Sequence, residues 1–596
     1  MRAVDYVIEY IWKELKVNMI FTVTGGGAMF LDDAIAKCEN IQAICNHHEQ
    51  ASAMAALGFA KYSNNIGVVC VTSGCGGTNA LTGILDAYQD NTPLLILSGQ
   101  VKLKETSCSY DIPLRQFGVQ EVDIVSIVKP ITKYAVTIVN ADEIVYHLQK
   151  AVYLARNGRP GPVWIDIPLD IQATEIDISQ CKRFNHLEIV QDAYCNTELI
   201  ASVLQSLEKA KRPIVIAGNG VRLADCVDKF RAIIKQWGIV PVTTSYLGID
   251  LLAHDEDQFI GRLGIKGDRA GNFAVQNADF ILVLGCRLSV ALTGFEYELF
   301  AREATIVVVD IDKNEHQKPT VAIDMFIHTD LKDFLNEVAH RHIELHCNDW
   351  LQTCLYWKSK WSVFAEKHKP SHLINKYEFI KSLSHNLGNN SVVVSDAGSA
   401  YYVTSQALYL TGQQRYITSG AQADMGFTLP ACIGVCLAKN GEVIGITGDG
   451  SLQMNIQELQ TIVYHHLPIK LFVWNNNGYL SIRTTQDKFF NGRRIGTDKE
   501  SGVSFPNLQK IAQAYGIAYC RVNSVDMLNS TIANVLKKDE AIICEVICPE
   551  NQEIIPNVSS LKRDDGTMVS KPLEDMYPYL ERDEFYTQML IKPLDE

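Results

Sequence analysis

Strand-length apolar runs recur along nearly the whole chain, separated by stretches with helical spacing: "NMIFTV", "IQAICNH", "IGVVCV", "PLLILSG" and "GPVWIDIP", then "RPIVIAG", "IVPVTTS", "DFILVLG" and "TIVVVD", then "SVVVS", "EVIGIT", "IKLFVW" and "AIICEVICP". A strand that is apolar on both faces must be covered on both faces, and helices between parallel strands provide that cover. The alternation therefore predicts an α/β protein with three consecutive doubly wound parallel-sheet domains. They are read at residues 1–178, 195–345 and 370–555, followed by a C-terminal extension at 556–596. The polar stretch around 180–195 and the Trp- and Lys-rich stretch around 350–370 read as connectors.

The net charge of −14 argues against a nucleic-acid partner, which would call for a basic surface. The sixteen cysteines form no CxxC pair; Cys432 and Cys436 are four apart on an expected helix, so structural zinc is not expected. "MRAVDYVIEYIWKELKV" reads as an amphipathic helix with Ile8, Ile11, Trp12 and Leu15 on one side, not as a secretory signal. No apolar run approaches the roughly 20 residues that span a bilayer. These features predict a reduced, cytoplasmic protein with no membrane partner.

One stretch carries chemistry. In "EVIGITGDGSLQMNIQELQTIVYHHLPIKLFVWNNNGYL", "EVIGIT" and "IKLFVW" read as parallel strands. "NIQELQTIVYHH" reads as the helix between them, with Ile456, Leu459 and Val463 on one face. Asp449, between Gly448 and Gly450, and Asn476 then lie at the same carboxyl edge, where open α/β sheets bind ligands. One carboxylate and one amide offer hard oxygen ligands with little charge, which suits Mg²⁺ or Ca²⁺ completed by phosphate oxygens and water. The glycines let backbone approach a ligand, and Ser451 with the helix start behind it offers hydroxyl and N–H groups to a phosphate. Either turn alone reads more readily as a tight turn with no ligand. Together in one βαβ unit they indicate a metal-bridged diphosphate.

Gly-Asp-Gly followed after twenty-four residues by Asn475-Asn476 resembles the thiamine diphosphate motif of pyruvate-decarboxylase-type and acetolactate-synthase-type enzymes. "HEQASAMAALGFAKY", "TSGCGGTNALTGILDAYQDNTPLLILSGQV" and "RNGRPGPVWIDIPLDIQ" resemble the pyrimidine-binding domain of the acetolactate synthases. The likeness runs to about residue 555. It implies that the three domains are pyrimidine-binding, central Rossmann-like and diphosphate-binding. It implies Mg²⁺ held by Asp449, Asn476 and the backbone oxygen of Gly478, with Tyr479 and Leu480 continuing the cofactor-binding turn. Gly398 and Ser399 match a diphosphate-contacting turn, although the family usually has Gln-His there. Met425 matches the bulky residue that holds the cofactor bent, and the carbonyl of Ala423 would meet its 4′-amino group. Glu49 would bond ring nitrogen N1′ and favour the imino tautomer that takes the C2 proton. Gln120, within Val119-Gln120-Glu121, belongs to the surviving donor half of the site.

In the same family the central domain holds FAD. Arg159, Gly218, Gly220, Arg287 and Asp310 sit at matching positions, while an acidic residue near the flavin is Val290 here. An FAD-loaded domain and an empty Rossmann-like domain both remain open. The acceptor half departs further. The arginine that holds the acceptor carboxylate is replaced by Ala291, and a Trp after the Asn motif is replaced by Thr485. Losing the arginine removes a charge-assisted contact. The resemblance therefore implies decarboxylation of a 2-oxo acid and transfer to a carbonyl acceptor, with a bulkier or uncharged compound such as a keto-sugar in view. The other readings are a true acetolactate synthase, a simple decarboxylase, or a non-catalytic homologue. The middle domain is expected to stand between Glu49 and Asp449 within one chain, so the family's homodimer, or a pair of dimers, is expected to complete each site.

Overall fold

The computed structural model describes residues 1–190, 193–562 and 567–594, so Gln191 and Asp192 of the first connector and the tip of the tail lie outside the described residues. The first sheet contains β1 Met19–Thr22, β2 Gln42–Cys45, β3 Gly67–Val71, β4 Leu94–Gln100, β5 Tyr134–Thr137 and β6 Val163–Pro168. The second contains β7 Pro213–Ala217, β8 Val242–Thr244, β9 Phe259–Arg262, β10 Phe280–Leu284, β11 Thr305–Asp310 and β12 Met325–His328. The third contains β13 Val392–Ser395, β14 Arg415–Thr418, β15 Val443–Gly448, β16 Ile469–Asn475, β17 Ala518–Val522 and β18 Ile542–Ile547.

All pairings within these three sheets are parallel. The first and third share one strand order, β2-β1-β3-β4-β6-β5 and β14-β13-β15-β16-β18-β17. The second runs β12-β11-β10-β7-β8-β9, the order of dinucleotide-binding doubly wound folds, with its topological switch between β7 and β10. Central strands such as β3, β4, β7 and β10 are buried along their whole length, which is why they read as unbroken apolar runs.

The first and third units touch directly. Helix Glu49–Ser63 packs on helix Thr428–Lys439, and one apolar core runs through both units. The approach is close because the contact residues lack side chains. A Cβ on Gly58 would lie 2.5 Å from the Ala431 carbonyl oxygen, and one on Gly434 would lie 1.8 Å from that of Ala55. The expectation that the middle domain stands between them is thus corrected: burial of the small-residue face of Glu49–Ser63 brings the outer units together. Since Gly58 faces Ala431 and Ala55 faces Gly434, the helices run antiparallel.

The stretch around 350–370 is more than a connector. Helix Asn348–Lys360 places Trp350 and Trp357 against the middle unit, beside Phe273 and Trp361. The tail covers the same region. Asn272 donates to the Leu573 carbonyl, Gln276 to Glu574, and Trp357 to Gln588. No helix among the described residues is long and apolar enough to cross a membrane.

Candidate active site

β15 and β16 are neighbours in register, Gly448 opposite Trp474, so their carboxyl ends meet. Asp449 leaves β15 and is buried. Its Oδ1 accepts from the Gly450 N–H at 2.9 Å, and its Oδ2 accepts from the N–H groups of Asn476 and Gly478 at 3.2 and 3.1 Å. Burial nevertheless pushes this carboxyl up to about 6. A dry carboxylate beside an amide and a backbone carbonyl is a setting that a divalent cation would stabilise. Asn476 is buried too and donates from Nδ2 to the Gly478 carbonyl at 2.6 Å, so amide and carbonyl are adjacent. No group of three or more His, Cys, Asp or Glu able to hold a metal occurs among the described residues.

The glycines of this turn serve different ends. A Cβ on Gly478 (φ +139°) would lie 2.0 Å from the Thr497 carbonyl oxygen, and one on Gly450 would lie 2.3 Å from the Tyr479 ring. Both are glycine because the fold itself leaves no room. Around Gly448 nothing lies within 4 Å of a built Cβ, and Gly398 (φ +55°) meets only Ser481. The missing side chains there leave space for something else. Ser399 is half-buried beside Gly398, and Leu480 is buried at the start of helix Leu480–Phe489.

Met425 stands between two backbone reversals, Ala423 at φ +52° and Gly426 at φ +83°. The Ala423 N–H is held by the Ser419 carbonyl at 3.0 Å. The Gly426 N–H is held by Ser451 Oγ at 2.8 Å, and its carbonyl accepts from Asn455. A left-handed alanine is strained, and such strain persists only where surroundings enforce it. The result is a methionine left 40% exposed just before the buried run that begins at Gly426. Ser451 has a different part from the one read in the sequence. Its hydroxyl proton goes to Asp396 Oδ2 at 2.6 Å, so it ties Gly426 to β13 rather than presenting a donor to phosphate. The predicted helix is also altered: Ser451–Glu458 is a 3₁₀ segment kinked at Asn455, and the α-helix is Leu459–Tyr464. The kink turns Ile462, with Leu459, into the core and leaves Val463 half-buried.

Glu49 opens its helix, where His48 caps by accepting the Gln50 N–H. It is buried, and its Oε2 accepts from Asn79 at 3.0 Å. The strand end before it is clamped by fully buried Glu458 of the third unit, which accepts from Asn46 and from the His47 N–H at 2.8 and 2.9 Å. Gln120 is exposed at φ +62°, with its carbonyl packed on Gly74. Its neighbour Glu121 is buried and accepts from Ser107 and from the Phe117 N–H, pinning a loop that exposes Ile112, Phe117 and Val119.

Asp449, Gly450, Ser451, Asn476, Gly478 and the Ala423–Gly426 turn are thus gathered at one edge, but Glu49 is not. It lies nine helical residues from Gly58, and Met425 lies beyond Ala431, which faces Gly58. At 1.5 Å per residue the two are separated by on the order of 15 Å along the antiparallel pair.

Gly220, Arg287 and Asp310 of the middle unit line one cleft at the switch point, together with Asn91 and Arg159 of the first unit and Gly420 of the third. Gly218 sits beneath it, where a Cβ would meet the Gly285 carbonyl oxygen at 2.1 Å. Arg159 pairs with Asp312 and Glu315 at 2.9 and 2.8 Å.

Several supporting residues escaped the sequence reading. Arg483 is buried and donates to the carbonyls of Asn476 and Asn477 at 3.0 and 3.2 Å, fixing the metal-type turn. Lys376 is fully buried near Asp449, and its ammonium lacks a hydrogen-bond acceptor among the described residues. Of these supports only Asp396, in "SDAGS" at a strand end, carried a local signal.

Comparisons with known proteins agree along the chain. Residues 1–127 match the model described as thiamine pyrophosphate enzyme, N-terminal TPP binding domain; 200–338 match the central domain; and 396–546 match the C-terminal TPP binding domain. The chain is 34% identical over 550 residues to the acetolactate synthase large subunit of Lactococcus lactis subsp. lactis, covering 92% of each. It is 32% identical to that of Buchnera aphidicola subsp. Schizaphis graminum, covering 88% of this chain and 90% of the relative. It is 30% identical to the probable acetolactate synthase large subunit of Methanocaldococcus jannaschii, covering 94% and 93%.

Proposed function

The chain belongs to the thiamine pyrophosphate enzymes, in their acetolactate synthase branch, and on that premise we propose that it removes CO₂ from a 2-oxo acid, with pyruvate as the favoured donor, and joins the remaining acyl unit to a carbonyl acceptor such as a keto-sugar. The main support is the placement of Asp449, Asn476 and Gly478 at one sheet edge beside the protruding Met425. When bound, thiamine diphosphate supplies the nucleophilic carbon and the electron sink.

The protein's own residues then have these roles. Asp449, Asn476 and the Gly478 carbonyl would hold Mg²⁺, and the space left at Gly448 and Gly398 would admit the diphosphate. Arg483 keeps the Asn turn in place. Met425 would hold the cofactor in its bent form, and the Ala423 carbonyl would accept from its amino group. Glu49 holds a proton at N1′ of the pyrimidine, in a pocket where Asn79 orients its carboxylate. Gln120 faces the donor. Because Glu49 and Met425 of one chain are far apart while both must reach the same cofactor, each site takes Glu49 from a second copy, in a homodimer. The sixteen free cysteines are in keeping with a cytoplasmic location.

The keto-sugar acceptor is supported by Ala291 and Thr485, which remove a charged handle and bulk. A true acetolactate synthase is the second reading, favoured by the names of relatives that match over about nine-tenths of the chain. Retention of Glu49, Asp449 and Asn476 together argues against a non-catalytic homologue. A screen of 2-oxo acids with carbonyl acceptors, reading CO₂ and product mass, tests the proposal. Products longer than acetolactate support it, acetolactate as sole product favours the second reading, and no CO₂ from any donor refutes both.

We also place FAD in the middle cleft, on its switch-point position and its lining by Arg159, Gly220, Arg287 and Asp310. Purified protein should be yellow and release FAD on denaturation. Colourless protein that takes up no added FAD would refute this.

A further inference from the structure

Among the described residues, two lysines beside the start of the tail, Lys266 and Lys488, have no carboxylate partner. Lys266 follows Ile265, whose N–H donates to the Ala291 carbonyl at 2.9 Å and whose own carbonyl accepts from Val558 at 2.8 Å. The segment thus lies between residue 291 and the start of the tail. Its closeness to 291 is also seen at Gly264, where a Cβ would lie 2.6 Å from the Ala291 carbonyl oxygen. The Lys266 backbone N–H is fixed by the Tyr246 hydroxyl at 3.1 Å, and its ammonium lies 5.3 Å above the Tyr402 ring. Lys488, near the end of helix Leu480–Phe489, donates to Ser559 at 2.8 Å and lies 5.2 Å from the Phe489 ring. Neither ammonium has a carboxylate within pairing distance among the described residues.

The two lysines meet at the start of the tail, where Ile265 accepts from Val558 and Lys488 donates to Ser559. Burial, and then the Lys488 charge, hold Lys266 down at about 8. Bringing like charges together in a partly dry site is unfavourable unless an anion joins them. Their setting shows where that anion would come from. Tyr402 lies four residues into helix Gly398–Ala407, and Lys488 lies eight residues into Leu480–Phe489. Both helices begin at the turns assigned to the cofactor, and they touch there, with Ser481 3.2 Å from a built Cβ on Gly398. At 1.5 Å per residue the two positions stand roughly 6 and 12 Å beyond those turns, within reach of an acceptor molecule.

We propose that Lys266, assisted by Lys488, binds an anionic group, carboxylate or phosphate, on the carbonyl acceptor. This rests on the carboligase reading and narrows it. The charged handle absent at Ala291 is supplied from the adjoining segment, so the acceptor is an anionic keto compound rather than a neutral one. Lysine suits this role because it meets an anion as a point charge and does not impose the planar geometry of arginine.

The test is calorimetric binding to protein loaded with thiamine diphosphate and Mg²⁺, which needs no turnover. The probes are dihydroxyacetone phosphate, lactate and neutral dihydroxyacetone. Wild-type protein should bind at least one of the two anions ten or more times tighter than dihydroxyacetone, and the tighter anion identifies the group. Lys266→Met should reduce that preference at least tenfold, Lys488→Met should reduce it less, and Lys266→Arg should retain most of it. Absence of the preference in wild type, or its survival in Lys266→Met, would overturn the proposal. Product formation from pyruvate with dihydroxyacetone or its phosphate as acceptor, run in parallel, tests the carboligase reading separately.

Discussion

At the scale of single residues, Glu49 is the sharpest test. Its carboxylate accepts from Asn79, and a glutamine can keep that contact through its amide oxygen. Glu49→Gln should therefore fold and bind thiamine diphosphate normally. CO₂ release should fall by about two to four orders of magnitude, the usual contribution of a positioned proton-transfer group. Stopped assays with the best donor, alongside cofactor titration, check this; near-wild-type turnover would remove Glu49 from its role. The motif residues were legible because strand, crossover and strand place Asp449 and Asn476 together whatever the rest of the chain does. Their supports were not. Glu458 reaches Asn46 across 412 positions, and Arg483 acts on carbonyls, which leave no trace in side-chain pattern.

At the scale of elements, the strands read from the sequence were β1, β2, β3, β4 and β6 of the first sheet, β7, β8, β10 and β11 of the second, and β13, β15, β16 and β18 of the third. The five missed, β5, β9, β12, β14 and β17, all lie at sheet edges. Several are short and only half-buried, as in Tyr134–Thr137 and Ala518–Val522, so they lack the apolar run that marks a strand covered on both faces. Helix Glu49–Ser63 was visible as a small-residue helix, but its partner was not. That packing can be tested directly. Gly434→Ala forces a methyl to 1.8 Å from the Ala55 carbonyl oxygen, so the helices must separate. Overpacking of this kind costs about 1–3 kcal/mol, and the urea midpoint should fall accordingly. Gly441→Ala, where nothing lies within 4 Å, should change stability by no more than about 0.5 kcal/mol. Equal midpoints for the two variants would show that the contact yields without cost.

At the scale of the whole molecule, the proposed sharing of Glu49 between two copies would make assembly a condition of activity. Two copies related by a closed two-fold axis make two equivalent sites. Mixing Glu49→Gln subunits with Asp449→Ala subunits after dissociation should restore activity, because each heterodimer recovers one intact site. Folded heterodimers with no recovery would mean that a single chain builds its own site. The three-unit plan was readable from the alternation of runs, whereas the direct contact between the outer units was not, since it depends on which helix faces are left bare once each sheet is covered.

That contact also sets a schedule for synthesis. The face of helix Glu49–Ser63 is completed about 365 residues before helix Thr428–Lys439 exists to cover it. At translation rates of roughly 5–20 residues per second, each nascent chain carries this apolar surface uncovered for roughly 20–75 s. During that interval the ribosome-bound first unit depends on chaperones, or on its own slow encounter with other chains, for what its partner helix later provides.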